Sequence, residues 1–177
     1  AYGSFMHFTI DGSTPPYEPR ELVKTLGQEP RLFLAGQQVN INSLLVSKSG
    51  LSHVKFTEDE GGRYGEDWQY LMSLAAAGAR FKPLDGAHSF IEIRDDSHTT
   101  WDIQHLLKWY VIRHMYRLKD EFFEIGCDQN YWRKHLVRHW AKFYLACAAA
   151  GDVDFPNTAM KSDVEIRPPL LRLYTWI

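Results

Sequence analysis

Two adjacent carboxylates, Glu66 and Asp67, follow an acidic, glycine-bearing loop and open an apolar helical repeat. Trp68, Leu71, Met72 and Ala75 recur at the i, i+3, i+4, i+7 spacing, so a helix is expected over roughly 66–77, with these four residues on one face. Gly78 stands where that helix would stop. A helix N-terminus presents free N–H groups and favours negative charge. A carboxylate held there by the helix behind it suits a general base that takes a proton from a hydroxyl. The plainer reading makes both acids an ordinary helix first turn, where acidic residues are common.

Other chemistry-bearing residues are weaker. His135 and His139 are four apart and could share a helix face as metal ligands. No Glu follows His135 in the hydrolase pattern, and Arg133, Lys134 and Arg138 surround the pair. The pair is therefore read as helix-surface or interface histidines; His105 and His114 lie on the late helices too. The basic cluster reads as a solvated helix face, with an anionic membrane surface as the alternative. Glu60-Gly61-Gly62-Arg63 lacks phosphate-loop spacing, and Asp152-Val153-Asp154 lacks the rest of a calcium loop. Cys127 and Cys147 stand far apart in sequence and are read as reduced, partly buried thiols.

The elements that must position these groups fall in two parts. Tyr2 to Ile10 reads as a strand, Asp11 to Pro16 as a loop, and Glu21 to Leu26 as a short helix. Val39 to Ser47 reads as a further strand. Phe81 to Leu84 and Ala87 to Ile93 read as two short strands around an Asp85-Gly86 turn. From Ile103 the period changes. Ile103, Leu106, Leu107, Tyr110, Val111, His114 and Leu118 form one helical stripe. Trp132, Leu136, Trp140, Phe143, Tyr144 and Cys147 form another, ended by Gly151. The tail from Asp152 reads as mostly irregular. The expected class is α/β: a mixed sheet with packed helices in residues 1–100, then a helical region in 101–177.

The chain has 177 residues, of which 45% are hydrophobic, enough for a real core. A 14% aromatic content implies much ring packing. The net charge of −2 argues against a nucleic-acid partner, which calls for a basic excess. No apolar run is long enough for a membrane-spanning helix, and the chain is expected to be cytoplasmic. Ala1-Tyr2-Gly3-Ser4 lacks an initiator Met and a signal-peptide core, and reads as a cut or processed edge.

The run GEDWQYLMSLAAAGARFKPLDG, residues 65–86, resembles the acidic-motif helix of family 2 glycosyltransferases, in which an acidic loop leads into Glu-Asp-Trp, a helix, Ala-Gly and a short strand. Ala1-Tyr2-Gly3 to Ile10-Asp11-Gly12 is similar to the family's strand after its metal-binding motif. Val39 to Gly50 resembles a further strand and turn. Ile93 to Thr99 is similar to the segment that closes the family's active site. The likeness covers roughly residues 1–100 and is strongest at Glu66-Asp67-Trp68.

The resemblance implies a partial GT-A fold and an inverting transfer of sugar from a nucleotide donor to a hydroxyl, with Asp67 as base and Glu66 orienting the acceptor or supporting Asp67. Trp68 and Arg94 would stand at the substrate, although the apolar face favours packing for Trp68. The family's histidine two residues after the arginine is replaced here by Asp96, with His98 two further on. Either could reach Mg²⁺ or Mn²⁺, though a polar surface loop explains them too. The nucleotide-binding half and the main metal ligands would precede Ala1, so this part alone would be inactive and could self-associate. Its partners would be a nucleotide-sugar and a carbohydrate or lipid-linked acceptor, with peripheral membrane contact allowed. The rival reading is a non-catalytic protein-interaction module.

Overall fold

A computed structural model describes residues 2–8, 16–17, 25, 28–35, 41, 44, 46, 51, 53–56, 65–92, 104–163, 165–166 and 168. Three strands form one sheet in the order β2-β1-β3: β1 is Tyr2–Phe8, β2 is Pro16–Tyr17 and β3 is Pro83–Glu92. β1 runs antiparallel to β2 and parallel to β3. The two short strands expected around Asp85-Gly86 are thus one strand. The turn signal there has a physical counterpart. Tyr2 pairs with Pro83 but Ser4 pairs with His88, so the register breaks across the Asp85-Gly86 stretch as a bulge takes up the extra residues.

The strand expected over Val39 to Ser47 is not what the described part of that stretch forms. The Ile41 carbonyl accepts from the Leu44 N–H at 3.1 Å, an i to i+3 turn, and Leu44 makes only an isolated bridge. The described residues of the acidic-motif run do follow expectation: α1 spans Glu66–Ala76. The C-terminal helices are α2, Gln104–Arg117; α3, Lys119–Glu124; α4, Gln129–Ala150; and α5, Phe155–Ser162. The last of these falls in the tail read as irregular. Pro156 suits its first turn, where a missing N–H costs nothing.

The α/β expectation, a partial GT-A-like mixed sheet covered by helices, is corrected by this body. Outside the three strands 71% of the described part is helical, and its core is helix on helix. A 3-10 helix, Pro30–Ala35, inserts Phe33 and Leu34 beside α1. The physical reason is aromatic bulk at helical spacing. Trp109 of α2 meets Trp140 and Phe143 of α4 at ring separations of 5.9 and 5.6 Å. Tyr116 meets Trp132 edge-on at 5.5 Å. Burying each such side chain stabilises the fold by about 1.5–3 kcal/mol, so two long stripes facing each other dominate.

Helix α4 is defined at both ends. The Asp128 side chain accepts from the Tyr131 N–H at 2.9 Å, and Gly151 takes the left-handed conformation, φ 72°, that ends the helix. The Arg113 to Asp163 ion pair, 2.9 Å, ties α2 to the residue just after α5. Cys127 and Cys147 are free and buried, in line with the reduced-thiol reading. Among the described residues, no helix is long and apolar enough to cross a membrane.

Candidate active site

Helix α1 begins where the acidic pair requires. Gly65 precedes it with φ 70° and ψ 31°, a left-handed conformation that costs a residue with a Cβ about 1–2 kcal/mol. A Cβ there would also stand 3.3 Å from Leu107 Cγ of α2. The glycine therefore both turns the chain and seats the helix start on α2. Its carbonyl accepts from the Gln69 N–H at 2.9 Å, closing the first turn.

Glu66 is exposed and Asp67 is partly exposed. Asp67 Oδ1 accepts from the Trp68 N–H at 2.7 Å, using one of the first-turn N–H groups that the helix leaves free. Among the described residues, neither carboxylate meets a cation within ion-pair distance. The second oxygen of Asp67 has no described protein partner, so the group keeps an acceptor to offer.

Trp68, immediately behind, is buried. Its Nε1–H donates to the Phe33 carbonyl at 3.1 Å, and its ring lies 5.1 Å from that of His139. This is the packing role that its place on the apolar face predicts. Lys108 Nζ stands 5.6 Å over the same ring. Burial, and then the charge of Lys142, push the Lys108 pKa below its ordinary value.

His135 and His139, expected at the helix surface or an interface, are buried, and so are His105 and His114. Their stripes carry so many aromatics that the imidazoles are drawn into the same core. His139 lies 2.8 Å from the Leu34 carbonyl through Nε2. A carbonyl only accepts, so Nε2 carries the proton. Burial pushes the His139 pKa down to about 4, against the opposing effect of that hydrogen bond and reinforced by Lys142, Lys108 and His135. His135 packs on the Tyr131 ring at 4.4 Å, and burial, Arg138 and Lys134 lower its pKa. The i, i+4 pair thus serves two separate packing sites. Among the described residues, no three metal-capable side chains converge. Arg94, Asp96 and His98 lie outside the described residues.

Comparison with family models, curated proteins and solved structures gives no match for this chain.

A second polar cluster lies one and a half turns along α1, and sequence reasoning missed it. Ser73 Oγ donates to the Gln69 carbonyl at 3.0 Å and stands 2.8 Å from His114 Nε2. Because the hydroxyl proton is directed to Gln69, Oγ is the acceptor toward His114. That is the reverse of what an activated serine nucleophile needs. A cavity of about 430 Å³ opens beside Ser73, with His53, Lys55 and Glu121 among its lining residues. The available signal was a serine and a histidine on helices whose other inward positions are mostly apolar.

Proposed function

We propose that this chain supplies the acceptor-activating part of an inverting glycosyltransferase, with Asp67 as general base. Asp67 takes the proton of the acceptor hydroxyl as its oxygen bonds to the anomeric carbon of a nucleotide-activated sugar. The bond from that carbon to the diphosphate breaks, the diphosphate leaves with the electron pair, and the configuration inverts. Glu66, on the exposed side of the same turn, orients the acceptor. The sugar-nucleotide itself is bound by other parts of the full-length protein, and a divalent metal bound there would balance the charge of the leaving diphosphate.

One observation carries this reading. Asp67 sits half-exposed on the first turn of α1, between the left-handed Gly65 and the buried Trp68. The carboxylate is thereby held at the helix start, one oxygen on the Trp68 N–H, and such fixed placement is what positioned proton transfer requires. The proposal rests on that placement and on the Glu-Asp-Trp resemblance, not on a sheet architecture.

The test is Asp67→Asn in the full-length protein, with transfer and nucleotide affinity measured separately. General-base loss should cut transfer by about 10²–10⁴-fold while leaving nucleotide binding nearly unchanged. Transfer near the parent rate removes Asp67 from the role. The helix-on-helix core favours one second reading, a non-catalytic interaction module, in which Asp67→Asn changes no activity because there is none.

A further inference from the structure

Helix α4 spans 22 residues and contains four Lys or Arg side chains and no Asp or Glu, in a chain whose net charge is −2. Its inner face is spent on Trp132, Leu136, Trp140, Phe143 and Cys147, all buried. The opposite face is open. Lys134, Arg138, Lys142 and Leu145 follow one another along a single i, i+3/i+4 row, and all four are exposed. Arg133 and Tyr144, also exposed, flank one edge of that row. Among the described residues, none of the four cations forms an ion pair. Leu145 is 70% exposed, the most open large apolar side chain of the described residues.

We infer that this outer face of α4 is a peripheral docking surface for an anionic lipid bilayer. The charge is complementary: four unpaired cations on one element, with no acid on it to oppose them. The order along the helix also fits. The cations lie in its first two-thirds, where they reach lipid phosphates and carboxylates. Tyr144 and Leu145 follow, an aromatic and an aliphatic group suited to the boundary between headgroups and acyl chains. Ala141, Ala148 and Ala149, exposed on the same side, keep the face low enough for close approach. A nucleic acid would use the cations but has no use for Leu145. The inference is independent of the glycosyl-transfer proposal, because it uses no residue of α1.

The experiment is co-sedimentation of the full chain with large vesicles, either pure phosphatidylcholine or with about a third phosphatidylserine. Binding should require the anionic lipid and weaken as salt is raised. Each basic residue near such a surface contributes about fivefold to partitioning. The double variant Lys134→Gln/Arg138→Gln should therefore lose about twenty-five-fold. Leu145→Glu should also weaken binding, while Lys55→Gln, away from this helix, should not. All three variants change exposed side chains, and circular dichroism checks that α4 persists. Equal binding to neutral vesicles, no binding to either, or undiminished binding by the double variant overturns the inference. So does tighter binding to duplex DNA that is indifferent to Leu145→Glu, which would make the face a nucleic-acid surface.

Discussion

Trp68 and His139 stand with their rings 5.1 Å apart and hydrogen-bond to successive carbonyls, Trp68 to Phe33 and His139 to Leu34. Two helices far apart in sequence thus cap the same short 3-10 segment. The arrangement supplies partners that buried carbonyls at the end of such a segment would otherwise lack. It also fixes the residue next to Asp67.

Trp68→Phe tests this link. Phenylalanine keeps a ring but removes the Nε1–H, leaving the Phe33 carbonyl without that donor. An unsatisfied buried polar group costs about 1–3 kcal/mol, and the smaller ring adds a void. Urea unfolding should show a loss of about 2 kcal/mol or more. A change below half that value would mean that the bond to Phe33 contributes little.

His139 should make stability fall in acid. Its pKa is about 4 in the folded chain against an ordinary 6.5. Above pH 6.5 the ring is neutral in both states and the buried bond to Leu34 is intact. As pH falls from 6.5 toward 4, the unfolded chain takes up the proton first, so stability drops across that window and levels off below it. Between pH 7 and 4.5 the loss should be about 2 kcal/mol. The lowered pKa of His135 adds in the same direction. His139→Gln retains an amide donor without a titrating group. Its urea midpoint should therefore fall much less over the same range, and an unchanged acid slope would assign the effect elsewhere.

The sequence showed local elements better than it showed their arrangement. The start of α1 was legible because glycine, two acids and an i, i+3, i+4, i+7 stripe all point to the same turn. The end of α4 was legible at Gly151 for a similar reason. The architecture was not, because alternation over a few residues looks alike in a strand and in a turn-rich segment, as Ile41 to Leu44 demonstrates. The burial of His135 and His139 was missed because a polar residue in an amphipathic helix can lie at the edge of the stripe or inside it. Only the partner surface decides: Leu34 for His139, Tyr131 for His135. The contact of Ser73 with His114 joins residues 41 apart and left no spacing to read.

Gly65 and Gly78 offer a matched comparison of backbone and packing. Both have positive φ, 70° and 76°. A Cβ on Gly78 would meet nothing within 4 Å, whereas one on Gly65 would crowd Leu107 Cγ at 3.3 Å and touch Val111 at an ordinary 3.7 Å. Gly78→Ala should cost about 1–2 kcal/mol from backbone conformation alone. Gly65→Ala should cost more, by whatever displacement of Leu107 requires. Equal losses in thermal or urea unfolding would show that the helix start is not seated on α2 as described.

The thiols report on the same core by chemistry. Burial, with some help from Asp152, pushes the Cys147 pKa to about 11 from an ordinary 9.0. At pH 8 the reactive thiolate is then about a hundredfold scarcer than in a free thiol, before any shielding by the surrounding helices is counted. Cys127 is likewise raised, chiefly by burial. A disulfide reagent added to the native protein at pH 8 should modify both slowly, and both should react at once in urea. With urea below the unfolding midpoint, labelling of Cys147 should follow the equilibrium population of opened molecules. Trp68→Phe, which loosens the packing of α1 against α4, should then speed it in proportion to the stability lost. Rapid labelling of Cys147 in the native protein would mean that the inner face of α4 is not closed. The aromatic contacts of Trp109 with Trp140 and Phe143 would then not hold in solution.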